Sequence, residues 1–328
     1  MTQQRALIFG ASGQDGAYLS RWLLSQGYEV FAASRDVSKA SFAKLRLLGI
    51  DGQVTTLSLD LGDPVALLRG LRTIEPSEIY NLSGQSSVGY SFDAPIETWQ
   101  SNLSAHLNLL EAVRALKLPA RIYAAGSSEA FGDTGGALAD ESHPFHPRSP
   151  YGSAKASTFW ATKNYRDVFG LFACTGLLFN HESPLRPPRF VTRKVVQGAV
   201  AIAEGRMEHL VLGRLDIERD WGYAAEYVEA MWMMLQRPEP SDFVVATGVV
   251  HTLSDFVAAA FRACGLNWLD HVRSDPSLFR PNEIARNGGD PRKARDVLGW
   301  KARSSFEEVV GLMVESEKEQ KSPGRDRP

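Results

Sequence analysis

The run Ala6-Leu7-Ile8-Phe9-Gly10-Ala11-Ser12-Gly13-Gln14-Asp15-Gly16 decides the fold. Its first four residues are apolar without interruption, as in a strand buried on both faces of a parallel sheet. Gly10, Gly13 and Gly16 follow at once. A tight turn, close backbone approach to a pyrophosphate, and close helix–strand packing each need a position without a side chain. Helical spacing then runs from Ala17 to Gln26, with Leu19, Leu23 and Leu24 on one face and Gly27 as its stop. The N-terminus of such a helix offers unpaired N–H groups to phosphates. Glycine spacing alone is weak evidence; between a strand and a helix it reads as a dinucleotide cradle.

Further along, strand patterns at 28–33, 54–59, 78–82 and 121–125 alternate with helical patterns at 63–71 and 98–115. That alternation predicts an α/β fold, a Rossmann doubly wound parallel sheet. After about residue 180 the rhythm changes, with Pro184, Pro187 and Pro188 crowded together and helical patterns at 193–204, 224–236 and 253–264. The expected organisation is a dinucleotide-binding domain over residues 1–178 with about 220–248. A smaller, partly helical lobe takes 179–219 and 249–315, and a charged tail at 316–328 is expected to fray.

Among 328 residues, 44% are hydrophobic, enough for a large core, and the formal charge of −2 carries no global signature of nucleic-acid or anionic-membrane binding. Cys174 and Cys264 are too few for a disulfide framework or a cysteine-rich zinc site, and Cys174 sits in an apolar run expected to be buried. No apolar run approaches the length of a membrane span, and Met1 to Arg5 lead straight into a strand pattern. A cytoplasmic protein is the expectation.

Cofactor choice turns on the end of the second strand. An NAD site usually carries a carboxylate there, whereas an arginine accommodates a 2′-phosphate. Ser34 stands at that position with Arg35 next, which favours NADP, but Asp36 lies 20 residues past Gly16 and leaves the register open. Asp60-Leu61, after the third strand, reads equally as an adenine contact or as a turn.

Tyr151 and Lys155 are four residues apart, on one helix face. An ammonium beside a phenol favours the tyrosinate, so the pair is expected to lower the Tyr151 pKa and let it take a hydroxyl proton as a hydride leaves the same carbon. Strand 121–125 ends in Gly126-Ser127-Ser128-Glu129, at the sheet edge where open α/β folds bind ligands. Ser127 can hold the reacting hydroxyl. Glu129 adds a carboxylate that simple oxidation does not need but that removal of a proton beside a carbonyl does. His181-Glu182 invites a zinc reading, but neighbours on an extended segment face opposite ways and no third ligand is in view, so no metal is expected.

Together these elements resemble the extended short-chain dehydrogenase/reductase family. Longer strings are similar to its GDP-mannose 4,6-dehydratase group: Gly13-Gln14-Asp15-Gly16-Ala17-Tyr18-Leu19, Phe179-Asn180-His181-Glu182-Ser183-Pro184, Phe190-Val191-Thr192-Arg193-Lys194 and Arg219-Asp220-Trp221-Gly222. The resemblance covers roughly residues 5–312. It implies a redox-neutral lyase in nucleotide-sugar metabolism. C4 of the mannose is oxidised, water leaves across C5 and C6, and C6 is reduced, giving GDP-4-keto-6-deoxymannose. Ser127, Glu129, Tyr151 and Lys155 are then catalytic. Gly10, Gly13, Gln14, Asp15, Gly16, Ser34, Arg35, Asp60, Leu61, Tyr151 and Lys155 bind NADP. Ser86, Asn180, Val191, Lys194, Arg219, Arg280 and Glu283 bind the GDP-sugar. The family also implies a homodimer or homotetramer, built on the helices near 98–115 and 151–169.

Two segments depart from the group pattern. Its usual pair of arginines followed by serines is here Ser34-Arg35-Asp36-Val37-Ser38-Lys39. The acidic-then-aliphatic run after Glu283 is here Ile284-Ala285-Arg286-Asn287-Gly288-Gly289. Three other readings stay open: a GDP-4-keto-6-deoxymannose reductase, a sugar-nucleotide epimerase, and a non-enzymatic NADP-binding sensor on the same fold.

Overall fold

A computed structural model describes residues 3–321. Strands β1 (Arg5–Phe9), β2 (Glu29–Ser34), β3 (Thr55–Ser58), β4 (Glu78–Asn81), β5 (Arg121–Ala125) and β6 (Ala173–Leu178) form a parallel sheet in the order 3-2-1-4-5-6. β10 (Phe243–Val245) adds a seventh parallel strand beside β6, so the chain returns to the sheet after leaving it. This is the doubly wound Rossmann arrangement, and its strand order reverses between β1 and β4.

Helices α1 (Gln14–Ser25), α2 (Ala43–Leu47) and α3 (Pro64–Ile74) fall between the first four strands. The helix expected near 98–115 is a composite. After α4 (Val88–Asp93), α5 (Pro95–Trp99) passes through a π-helical turn at Gln100–Ser104 into α6 (Ala105–Leu116). One face of the sheet packs Leu19 and Leu23 of α1 against Met231 and Met234 of α9 (Ala224–Leu235). The other packs Leu67 and Leu71 of α3 against Leu109 and Val113 of α6. β6, which the sequence marked only as an apolar run around Cys174, is buried at all six positions.

α7 (Pro150–Phe169) carries the Tyr151/Lys155 pair. Ser149 caps it by accepting the Gly152 N–H, and Pro150 presets its first turn; such a cap stabilises a helix by about 1 kcal/mol. The smaller lobe has its own core. Val195, Val200, Phe256, Phe261, Val310 and Met313 interdigitate from α8 (Val191–Ala203), α10 (Leu253–Ala263) and α11 (Phe306–Lys321). A second sheet sits between lobe and main sheet. There β9 (Glu218–Tyr223) pairs with β7 (Asn180–Glu182), β11 (Val250–Thr252) and β13 (Arg286–Asn287). Short strands β8 (Leu210–Leu212) and β12 (Val272–Ser274) pair in parallel.

The expected fraying from residue 316 needs correction. α11 continues to Lys321, and buried Glu317 meets Arg193 of α8. The charge pattern there marked one solvated face, not a disordered tail. Residues 322–328 of that expectation lie outside the described residues.

Candidate active site

The cradle is made by backbone that tolerates no side chain. Gly10 holds φ at +88°, and a Cβ there would lie 2.7 Å from the Leu82 carbonyl oxygen. A Cβ on Gly16 would collide with the Gly10 carbonyl. Gly13 N donates to Gly10 O at 2.9 Å, closing the turn before α1. These close approaches leave the backbone itself as the wall of the turn at the β1/β4 reversal, which suits a pyrophosphate.

The Gln14 and Asp15 side chains turn away from that wall. Gln14 Oε1 accepts from Ser183 Oγ at 2.7 Å, its Nε2 donates to His181 O, and Asp15 Oδ2 lies 2.9 Å from His181 Nε2. Burial alone would raise the Asp15 carboxyl, but the His181 charge and hydrogen bond hold it at about 2. Ser34 ends β2 and Arg35 is exposed beside it. Asp36 is engaged elsewhere: Oδ1 accepts from Ser38 Oγ at 2.6 Å, and Lys39 Nζ lies 3.1 Å from Oδ2. Asp60 Oδ1 accepts the Gly62 N–H, a turn contact, while Leu61 is buried.

A cation that sequence reasoning missed stands at the cradle. Lys44 of α2 donates Nζ to Ser12 O at 3.1 Å, and burial with nearby Arg189 lowers its pKa. No local motif marks it, because α2 is short and follows an irregular stretch.

The residues expected to be catalytic gather where β5 ends. Ser127 opens a single turn, Ser128–Ala130, and its Oγ accepts the Glu129 N–H at 3.3 Å. α7 presses directly on this turn, since a Cβ on Gly152 would lie 2.6 Å from the Glu129 carbonyl oxygen. The glycine after Tyr151 thus lets the phenol and the carboxylate share one small site. Burial raises the Glu129 pKa, opposed by Arg219 and Arg280.

One expectation is corrected here. Burial pushes the Tyr151 phenol up to about 12; a Ser127 hydrogen bond opposes the rise, followed in smaller measure by Arg186. The Lys155 ammonium lies 5.8 Å from the ring centroid and donates to Ala125 O at 2.9 Å, and its own pKa is brought down to about 8 by burial. At this site burial sets the direction of the phenol's shift.

Glu129 faces a cleft lined also by Phe92, Arg148, Arg280 and Glu283. Buried Arg219 reaches it from β9, donating to Glu283 Oε1 at 3.1 Å. Arg148 was not anticipated, since it lies in a proline-rich loop without a pattern. The other expected sugar-nucleotide residues are more scattered. Ser86 Oγ accepts from Arg189 at 3.0 Å, Asn180 opens β7 opposite Trp221, and Val191 begins α8. Exposed Lys194 is drawn to β8, donating to Val211 O at 2.8 Å. His181 and Glu182 have separate partners: His181 Nε2 lies 2.9 Å from Asp15 Oδ2, while Glu182 accepts from Thr192 Oγ1 at 2.6 Å and lies 3.1 Å from Arg186 Nε.

Comparison with known proteins agrees with this geometry. A family model described as GDP-mannose 4,6 dehydratase matches residues 7–313. The chain is 44% identical to GDP-mannose 4,6 dehydratase 1 of Arabidopsis thaliana, over 96% of this chain and 90% of that protein. It is 40% identical to the GDP-mannose 4,6 dehydratase of Homo sapiens, over 96% and 91%. A Thermus thermophilus UDP-glucose 4-epimerase solved with NAD superposes with a TM-score of 0.85 at 26% identity, covering 96% of this chain and 99% of that one. With a match that spans the cradle, the Ser127–Glu129 turn and the Arg280 cleft together, the chain belongs to the GDP-mannose 4,6-dehydratase family.

Proposed function

We propose that this chain is an NADP-dependent GDP-mannose 4,6-dehydratase, a hydro-lyase that converts GDP-mannose to GDP-4-keto-6-deoxymannose. The observation that carries the reading is Glu129, a half-buried carboxylate facing the cleft, on the turn that α7 presses at Gly152, one helix position from Tyr151. A simple reductase needs the phenol alone; elimination beside a carbonyl needs this second base.

Tyr151 accepts the proton of the mannose 4-hydroxyl while Ser127 holds the same oxygen. Lys155, fixed by Ala125 O, keeps positive charge beneath the phenol. An oxidised nicotinamide, when bound, would supply the acceptor for the C4 hydride and the donor at C6, with no net redox change. Once C4 is a ketone, the C5–H is acidic. Glu129 takes that proton and delivers it to the departing 6-hydroxyl, so the base of one half-step is the acid of the next. The proton that Tyr151 took from the 4-hydroxyl is then given back at C5 as C6 is reduced, which restores both side chains. Arg219, Arg280 and Arg148 suit a diphosphate, because guanidinium donates in a planar fork.

Support for NADP over NAD comes from the end of β2. Exposed Arg35 follows Ser34, and the nearest carboxylate, Asp36, is bound to Ser38 and Lys39. An assembly of two or four chains is part of the same proposal. Trp160, Val168 and Phe169 leave apolar surface exposed on α7, a face suited to a partner helix pair. A light-scattering mass equal to one chain defeats the assembly.

The decisive experiment incubates the protein with GDP-mannose and catalytic NADP+. Loss of one water with no accumulation of NADPH establishes the dehydratase. Stoichiometric NADPH consumption on the 4-keto-6-deoxy sugar, with GDP-mannose untouched, establishes the reductase instead.

A further inference from the structure

Asn287 sits in the segment after Glu283 that departs from the group pattern, and it is 1% exposed. Its Nδ2 donates to Ser128 O at 3.1 Å and to Gly132 O at 2.8 Å. Both acceptors are carbonyls, which fixes the amide's orientation: only the NH2 group can satisfy them. Its Oδ1 has no hydrogen-bond partner among the described residues. A buried amide whose oxygen goes unsatisfied is held there by its two donors.

Those two carbonyls bracket Glu129. Ser128 precedes it, and Gly132 closes the loop with φ at +72°, where a Cβ would collide with the His146 carbonyl oxygen. His146 N also donates to Phe131 O at 3.3 Å, so the loop is gripped from its other side by backbone alone. β13 stands beside β9 with Asn287 opposite Arg219, and Gly288 N donates to Thr134 Oγ1 at 3.2 Å. The strand that grips the Glu129 loop therefore also lies along the strand that delivers Arg219 to Glu283.

We propose that Asn287 is a positioning residue, whose side-chain amide clamps both ends of the Glu129 turn and registers it against the Arg219 strand. The role rests on the assignment of Glu129 as the C5 base. Without the clamp the cradle keeps its own closure and Lys155 its bond to Ala125 O, so C4 oxidation is impaired less than C5 deprotonation, whose base rides on the loosened turn.

The test uses Asn287→Asp, nearly isosteric but without donors, and Asn287→Leu, which also removes the unpartnered oxygen. In the full chain with NADP+, kcat should fall on the order of 10²-fold, the effect of roughly 1 Å of misplacement, with KM for GDP-mannose little changed. Substrate deuterated at C5 should show a larger isotope effect than in the native protein; substrate deuterated at C4 should not. A fall in kcat with both isotope effects at native values is the mark of lost folded protein and overturns the proposal, as does an unchanged kcat. Hydrogen exchange needs no substrate: the Ala130 and Phe131 amides, bonded to Ser127 O and Ser128 O, should exchange faster in both variants. Native exchange there overturns the clamp. If the native protein leaves GDP-mannose untouched, the Glu129 assignment fails, while the exchange arm still decides the clamp.

Discussion

His181 and Asp15 meet across 166 residues of chain, with Nε2 2.9 Å from Oδ2. The other ring nitrogen, Nδ1, lies 2.7 Å from the Phe179 carbonyl oxygen. A carbonyl and a carboxylate only accept, so this pair of contacts favours the doubly protonated ring, and against the effect of burial the Asp15 charge raises the His181 pKa. The ring also stacks on Tyr227, with centroids 4.8 Å apart. This ion pair ties the first turn of α1 to β7, and so the cofactor cradle to the second sheet.

Removing the pair has a pH signature. Asp15, held at about 2, contributes stability above its unfolded value and loses it as pH falls through the folded one. His181 is raised: burial opposes the charge, but Asp15 outweighs it. Its contribution is full below its unfolded value and is lost as pH rises through the folded one. Both act together between about pH 4 and 6.5. Asp15→Asn should therefore lower stability by about 3 kcal/mol in that window, as loss of one partner of a buried pair does. Melting curves of native and variant protein should converge as pH rises above neutrality; a constant gap removes the charge from the argument.

Tyr151 and Glu129 act at different steps, so their variants should stop at different points. Tyr151→Phe leaves the 4-hydroxyl proton without an acceptor and should cut turnover by about 10²–10⁴-fold with no reduced nicotinamide formed. Glu129→Gln should permit C4 oxidation and block elimination. Stopped-flow absorbance at the reduced-nicotinamide band should show a single stoichiometric rise in Glu129→Gln and none in Tyr151→Phe. A rise in both, or in neither, assigns the proton transfers differently.

Gly16 touches the backbone of its own turn. A Cβ there would meet the Gly10 carbonyl and lie 2.5 Å from the Ala11 Cα. No flexible side chain can yield, so the turn itself must shift. Gly16→Ala should destabilise the protein by about 1–3 kcal/mol, as overpacking does, and weaken NADP+ binding more than it weakens the fold. Calorimetric titration beside a melting curve separates the two; native affinity would falsify the cradle.

The sheet was legible because each of its signals is local. An apolar run before Gly10, helical spacing after Gly16 and a strand ending at Ser127 need no distant partner to be read. The grouping of Ser127 and Glu129 at a strand end, and of Tyr151 and Lys155 on one helix, was legible by the same rule, since spacing on a helix and position at a strand end are local facts. What escaped depends on chain that is distant in sequence. The Gln14 and Asp15 side chains meet Ser183 and His181, contacts that no local signal around the cradle announces. The Tyr151 phenol looks acidified by Lys155 until burial is counted. Lys44 sits on a five-residue helix, Arg148 in a loop and Asn287 in a two-residue strand, all too short for periodicity to announce a side chain's direction. The tail looked frayed because Glu317 gives no local sign of its buried partner Arg193.

The acid limb of the rate profile should report Glu129. Burial raises its pKa, while Arg219 and then Arg280 pull it back. A general base works only when deprotonated, so kcat should fall on the acid side through a value above the ordinary glutamate range of about 4.3. Arg280→Ala removes one of the charges that favour the carboxylate, and the acid limb should move to higher pH. Arg280 is exposed at the cleft mouth, so the shift should be small and should shrink as salt screens the native interaction. The same variant should raise KM for GDP-mannose, because Arg280 also lines the cleft that receives the nucleotide. A limb that stays put while KM rises would leave Arg280 as a binding residue only. A limb that moves to lower pH would mean that the titrating group is not Glu129.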